Sequence, residues 1–394
     1  FLTPSNPDVL AFHEAFADIV ALLQHFTFDE ILRHQVAATR GDIRSQQSLL
    51  GQLAGEFGRS TGMRGALRDA IGTVDPETGT WTPRKPDPTA YQKVMEPHDR
   101  GAVLVAAVFD AFLNIYERRI ADLLRLATGG TGVLQPGAIH PDLVARLAGE
   151  AAKAAHHVLM MCIRALDYTP PVDLEFGDFI SAVLTSDGVL NPNDKKYDFR
   201  RILRETFASY GIRPKAKGTP AHPGCWDPPP ADLNYERTHF EPMQRDPDEV
   251  FRFVWENRDK LEQYADVYSR VLSVRPCLRI GEDGFTLRET VAEYMQIVEL
   301  EARELGDLNI TPPKGMELDQ AVTLYGGGTL IFDEYGRLKY HIHKRLNDAA
   351  RQTQRLQYLW DYGYFTRGAA AFRNFANLHR QRGAVRQFDV QEEW

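Results

Sequence analysis

The sequence predicts a mainly α N-terminal lobe followed by a smaller α+β domain with a β-hairpin. Three observations predict it. Apolar residues recur at three- and four-residue spacing through most of residues 1–212, the period of an amphipathic helix. A Pro- and Gly-dense stretch, "RPKAKGTPAHPGCWDPPPADL", then breaks the pattern and marks residues 213–234 as a linker. Beyond it, in residues 235–394, apolar and polar residues alternate on both sides of a short turn at Asp333 to Gly336. A chain of 394 residues is long enough for two cores, because single cores rarely grow far beyond about 250–300 residues.

Within the first lobe, "VLAFHEAFADIVALLQHF" and "SQQSLLGQLAGEFGRS" read as helices. The stretch "GTVDPETGTWTPRKPDPTAYQKVMEP" interrupts them, and an insertion of that length inside a compact unit is usually functional or disordered. "HDRGAVLVAAVFDAFLNIYERRIADLLRLA" is a long, strongly apolar helix, and Pro141 opens the next one at a favoured first position. "PPVDLEFGDFISAVLTSD" supplies a further helix, and "DFRRILRETFASYGI" closes the lobe with Gly211 as C-cap. In the second domain "DPDEVFRFVWENRDKLEQYADVY" is expected as helix. "SVRPCLRIGEDGFTLRETVAEYMQIV" reads as strand, turn and then strand or helix, and the last stretch to Arg382 as basic helix.

Composition excludes more than it selects. An apolar share of 43% and a charged share of 25% are those of an ordinary globular chain. No run of about 18 apolar residues occurs, so no membrane partner is expected. Cys162, Cys225 and Cys277 are odd in number and far apart, which argues against a disulfide framework and for a reducing, cytoplasmic location. The net charge of −8 is unevenly spread: from Tyr335 to Arg386 eleven Lys/Arg face Asp348 and Asp361, so this segment is +9 and the remainder −17.

The first helix carries the chemistry. A zinc peptidase needs three protein ligands, a bound water, a base for that water and a donor for the oxyanion. The strongest signature, H-E-x-x-H, sets two imidazoles on one helical face. Here His13-Glu14 is followed by Ala17 where the second His would stand, so His13 does not open that motif. Asp18 does follow Glu14 at i+4, on the same face of the helix.

"HEAFADI" resembles instead the second metal helix of the gluzincin metallopeptidases, the thermolysin-like and fungalysin-like enzymes, with His13 where that family usually has Asn. The resemblance implies that Glu14 is the third zinc ligand and that Asp18 orients a zinc-binding His, an arrangement that fixes a tautomer. "EPHDRGAVLVAAVFDAF" is similar to the family segment in which a His is followed by an apolar helix, which makes His98 the oxyanion donor. The carboxylate that polarises this His in the family has no clear counterpart here, though Glu96 and Asp99 are near, and "PVDLEFGDFISAVLTSD" resembles the family's closing helix. The likeness spans roughly residues 6 to 210. It implies that the H-E-x-x-H helix belongs to an N-terminal segment upstream of Phe1, and that the substrate is a peptide or protein. Because Glu14 alone cannot hold zinc, the chain by itself is expected to be inactive.

Other candidates read more simply. His156 and His157 point in two directions and suit surface or core. His341 and His343 share a strand face but have no third ligand in sight. "LYGGGTL" lacks the Lys-Ser/Thr ending of a phosphate loop and reads as a strand bend or bulge. The basic segment interleaves aromatics with Arg, as surfaces for nucleic acid or an acidic protein partner do. The favoured alternative packs those aromatics inside and docks the basic residues on the acidic remainder of the molecule.

Overall fold

The structure, a computed structural model, describes residues 5–44, 72–74, 81–280, 284 and 286–365. It is an α+β fold in which a helical lobe packs against a four-stranded antiparallel sheet. The helix expected from "SQQSLLGQLAGEFGRS" and the basic stretch beyond residue 365 lie outside the described residues.

Helix α1 (Pro7–Gln24) starts where the Asn6 side chain accepts hydrogen bonds from the backbone N–H of Asp8 and Val9, with Pro7 at the first position. A short 3-10 turn leads to α2 (Asp29–Thr39). Within the Pro-rich interruption, Gly72–Val74 (β1) pairs antiparallel with Trp81–Pro83 (β2). After the single turn α3 (Ala90–Lys93) comes α4 (Pro97–Ala127), whose N-terminus is capped by Glu96 accepting from Asp99 N–H. Helices α5 (Pro141–Ala165), α6 (Phe176–Leu190) and α7 (Phe199–Ser209) complete the lobe. Gly211, at φ +83°, ends α7 in the left-handed conformation expected of it. A Cβ there would stand 2.4 Å from the Pro88 carbonyl oxygen.

Two close approaches fix α1 against α4. At Gly101 a Cβ would lie 2.9 Å from the Ala11 carbonyl oxygen and 3.6 Å from Ala15 Cβ, so the backbones meet where only glycine fits. At the start of α1 the buried Asp8 pairs with Arg100 and accepts from Tyr91 Oη at 2.5 Å and Phe176 N–H at 2.8 Å. Arg100 in turn donates to the carbonyls of Tyr91 and Val94, so the buried pair is satisfied on both sides. Pro7–Thr27 is long and apolar enough by composition to cross a membrane. In the fold its apolar side is covered, with Phe12 edge-on to Phe179 of α6.

Residues 213–234, expected as a linker, are stitched to the lobe in their first half. Lys215 N–H donates to the Gly177 carbonyl, Ala216 N–H to Ser181 Oγ and Trp226 N–H to Thr185 Oγ1. A two-residue pairing, Gly218–Thr219 (β3) with His222–Pro223 (β4), closes this strap. The single turn α8 (Phe240–Met243) then precedes α9 (Pro247–Glu256). The helix expected to run to Tyr268 stops at Glu256 because Asn257 turns its amide back, donating to the carbonyls of Phe253 and Asn234.

The sheet is a meander, β5 (Ser269–Ile280), β6 (Thr286–Glu301), β7 (Ala321–Phe332) and β8 (Leu338–Lys344), followed by α10 (Ala349–Asp361). Residues 286–301, open between strand and helix in the sequence, form the longest strand, paired on both edges. The Gly326–Gly328 run sits in regular strand pairing, and a Cβ at Gly326 would stand 2.6 Å from Leu346 N. It is a site of close backbone approach.

One core serves both layers. Val291, Ile331 and Ile342 of the sheet belong to the same buried cluster as the helices of the lobe. Around it, Tyr168 Oη donates to the buried Glu289, which also holds Lys339 and Arg279. Thr329 Oγ1 donates to the Thr169 carbonyl, and Lys344 bridges Glu175 and Asp178.

Candidate functional site

The glycine contact between α1 and α4 sets the geometry of the site. Gly101 seats on Ala11 and Ala15, so the residue one turn before it on α4, His98, comes alongside the residue next to Ala15 on α1, Glu14. His98 Nδ1 lies 3.6 Å from Glu14 Oε2, beyond a hydrogen bond and within ion-pair range when the imidazole is protonated. The His98 side chain is 43% exposed and Glu14 19%, so the pair opens to solvent on one side.

Asp18 stands one turn along α1 from Glu14. Its carboxyl is pushed up to about 6, first by burial, then by the charge of Glu14, with His98 pulling the other way. The three residues singled out by sequence, Glu14, Asp18 and His98, are thus brought into one electrostatic unit. His13 is exposed and faces elsewhere: it lines a cleft between α1 and the sheet. Glu96 serves as the N-cap of α4, and Asp99 is exposed.

Glu14, Asp18 and His98 are two carboxyl groups and one imidazole in a single neighbourhood. Glu14 is a partly buried carboxylate, Asp18 a second one within its electrostatic reach, and His98 an imidazole half-exposed at the rim. Among the described residues no three His, Cys, Asp or Glu side chains converge to hold a metal ion.

His157, His341 and His343 are engaged in the packing. His157 stacks on Phe199 at 4.2 Å and approaches the buried Asp187 at 3.3 Å, while Arg200 reaches the other oxygen of Asp187 at 2.7 Å. His156 is exposed. His341 and His343 stack face to face at 4.1 Å. His341 Nε2 meets Tyr294 Oη at 2.7 Å, and His343 reaches Glu262 at 2.9 Å. Burial and the neighbouring His343 push His341 well below the usual imidazole range, so it stays neutral.

The described part of the basic segment docks on acidic groups elsewhere in the fold: Lys339 on Glu289, Lys344 on Glu175 and Asp178, Arg345 on Glu262, and Arg351 and Arg355 on Asp173. Phosphate binding would have to compete with these pairs. Arg367, Arg373, Arg380, Arg382 and Arg386 lie outside the described residues. Sequence reasoning missed two buried clusters, Asp8 with Arg100 and Asp173 with the two arginines. A charge at the head of an apolar run, as in "HDRGAVLV", signals the first; nothing local signals the second. No family model, curated protein or solved structure matches the chain.

Proposed function

We propose that this chain is part of a zinc-dependent metallopeptidase of the gluzincin type, acting on peptides or proteins. The observation that carries the reading is the meeting of Glu14 and Asp18 of α1 with His98, 80 residues and more further along the chain, at one solvent-open edge of the α1–α4 contact. Glu14 would hold the metal as third ligand, with the two imidazole ligands contributed by a segment outside these 394 residues. Bound zinc supplies Lewis acidity and lowers the pKa of its water.

The chain's own groups do the rest. Asp18 is a carboxylate whose ionised form is penalised where it stands, so an imidazole N–H or a cation brought against it restores the lost solvation. In this reading Asp18 orients a ligand imidazole. His98, 43% exposed at the rim, would donate to the oxyanion of a tetrahedral intermediate. The small residues Ala11, Ala15 and Gly101 keep the two helices close enough for both roles.

Metal content tests the reading. A protein extended upstream to include an H-E-x-x-H helix should carry about one zinc per chain, and Glu14→Gln should abolish it while the melting profile of the metal-free protein is preserved. An extended protein that binds no zinc removes the peptidase reading.

A further inference from the structure

Val9, Phe12 and His13 of α1 border a cleft of about 430 Å³, which the turn at Pro170 to Leu174 and the sheet enclose on the other sides. That is within the size range of small-molecule sites. Its walls are apolar. Val9, Phe12, Val172 and Met295 are its buried lining, Pro170 and Pro171 stiffen one side, and Ile297, 45% exposed, forms a lip.

The ionic groups at one end of the cleft answer one another. Asp173 lies in ion-pair range of two guanidinium groups, that of Arg351 and that of Arg355, whose Nε is 3.7 Å from its Oδ1. Arg355 is only 4% exposed, donates through Nη1 to the Thr323 carbonyl at 2.8 Å and rests 4.8 Å from the centre of the Tyr325 ring. Arg351 donates to the carbonyls of Tyr325 and Arg345. Asp348, at the head of α10, adds a second carboxylate and accepts from Arg351 N–H. Beside them Lys215 and Lys344 are matched by Glu175 and Asp178. Cations and carboxylates are equal in number, and the cluster shows the cleft no unanswered charge.

That balance decides what the cleft can hold. An ion entering it sheds its water and meets no counter-charge, a penalty that outweighs what its hydrocarbon body gains. An uncharged ligand carries no such penalty, and each apolar surface it covers is removed from water on both sides of the contact. At the mouth the exposed His13 imidazole has no hydrogen-bond partner among the described residues.

We propose that this cleft binds an uncharged organic molecule with an elongated aryl or alkyl body, the body lying between α1 and β6 and a single hydroxyl or carbonyl group staying at the mouth beside His13. The apolar walls take the chain, and the self-compensated ion cluster at the far end turns away charged analogues of either sign. Selection against charge is what separates this site from a merely greasy surface. The inference does not rest on the peptidase reading.

Methyl NMR of the whole chain, labelled at its methionine and isoleucine methyl groups, tests it with 4-phenylbutan-1-ol, 4-phenylbutyrate and 4-phenylbutylamine, probes that differ at the polar end. The alcohol should shift the Met295 and Ile297 signals saturably with a Kd of about 1 mM, the ordinary efficiency of so small a ligand. Met161, buried among the helices of the lobe, should not respond. The acid and the amine should each bind about tenfold or more weakly. Ile297→Trp fills the lip from an exposed position, so it should abolish the Met295 response to the alcohol and leave the thermal melt unchanged. Acid or amine binding as tightly as the alcohol, a Met295 response that survives Ile297→Trp, or no response at several millimolar alcohol would each overturn the proposal.

Discussion

Replacing Asp18 by Asn should stabilise the metal-free chain, and only above a defined pH. The carboxyl stands at about 6 in the fold against an ordinary 3.8 because it is partly buried and faces Glu14. Between those values the folded chain keeps a proton that the unfolded chain has released. Stability therefore falls as pH rises from about 4 to about 6 and stays lower above that window. The gap corresponds to about 3 kcal/mol at full weight, and the partial exposure of the side chain reduces this to ~1–2 kcal/mol through solvent screening. In a chain of this length that is a rise in Tm of about 2 °C for the variant near pH 7.5. Urea denaturation of both proteins, followed by circular dichroism at several pH values between about 4 and 8, measures it directly. The difference between them should be near zero at the acid end and reach its plateau above pH 6. A difference that does not vary with pH, or a variant less stable than the parent at neutral pH, would refute the assignment of the strain to an ionised Asp18.

Gly101→Val should force α1 away from α4, because its Cβ would meet the Ala11 carbonyl at 2.9 Å; overpacking of this kind costs about 1–3 kcal/mol, read from a thermal melt. The conservative Ala102→Gly, which leaves the α1 contact in place, should cost only about 1 kcal/mol, the ordinary penalty of glycine in a helix plus a lost methyl. Asp8→Ala leaves Arg100 buried without its carboxylate and strips Phe176 N–H and Tyr91 Oη of an acceptor. A loss of about 3–5 kcal/mol in urea denaturation is expected, and a loss under 1 kcal/mol would mean that water replaces the carboxylate.

The helices of the lobe were legible because their apolar period is strong and their ends carry Pro and Gly, as at Pro141 and Gly211. The β7–β8 hairpin was legible for the same kind of reason, since Asp333 accepts from the backbone N–H of Tyr335 and Arg337 and so closes the turn where the sequence places it. What the sequence hid is long-range. Nothing in the strap from Lys215 to Trp226 shows that its donors find Ser181 and Thr185, so the proline content reads as a spacer. The end of α9 depends on Asn257 finding Asn234, a partner 23 residues away. Strand β6 could be told from helix only once neighbours existed on both edges. At the candidate site the spacing of Glu14 and Asp18 was readable from helical geometry. The arrival of His98 rests on a glycine whose importance appears only when α1 lies across it. The Arg355 cluster, assembled from a turn, a strand and a helix, left no local pattern at all.

The seam between lobe and sheet bears on how this molecule could be divided. Three buried polar contacts described along it have one member on either side of the Pro228–Pro230 run, Glu289 answering Tyr168, Lys344 answering Asp178, Arg351 answering Asp173. Cleaving the backbone at those prolines would leave two polypeptides that each expose an oily face studded with unanswered charge. Neither piece has reason to persist alone, and both have reason to recombine, so the bond at the hinge is dispensable while the company of the other half is not.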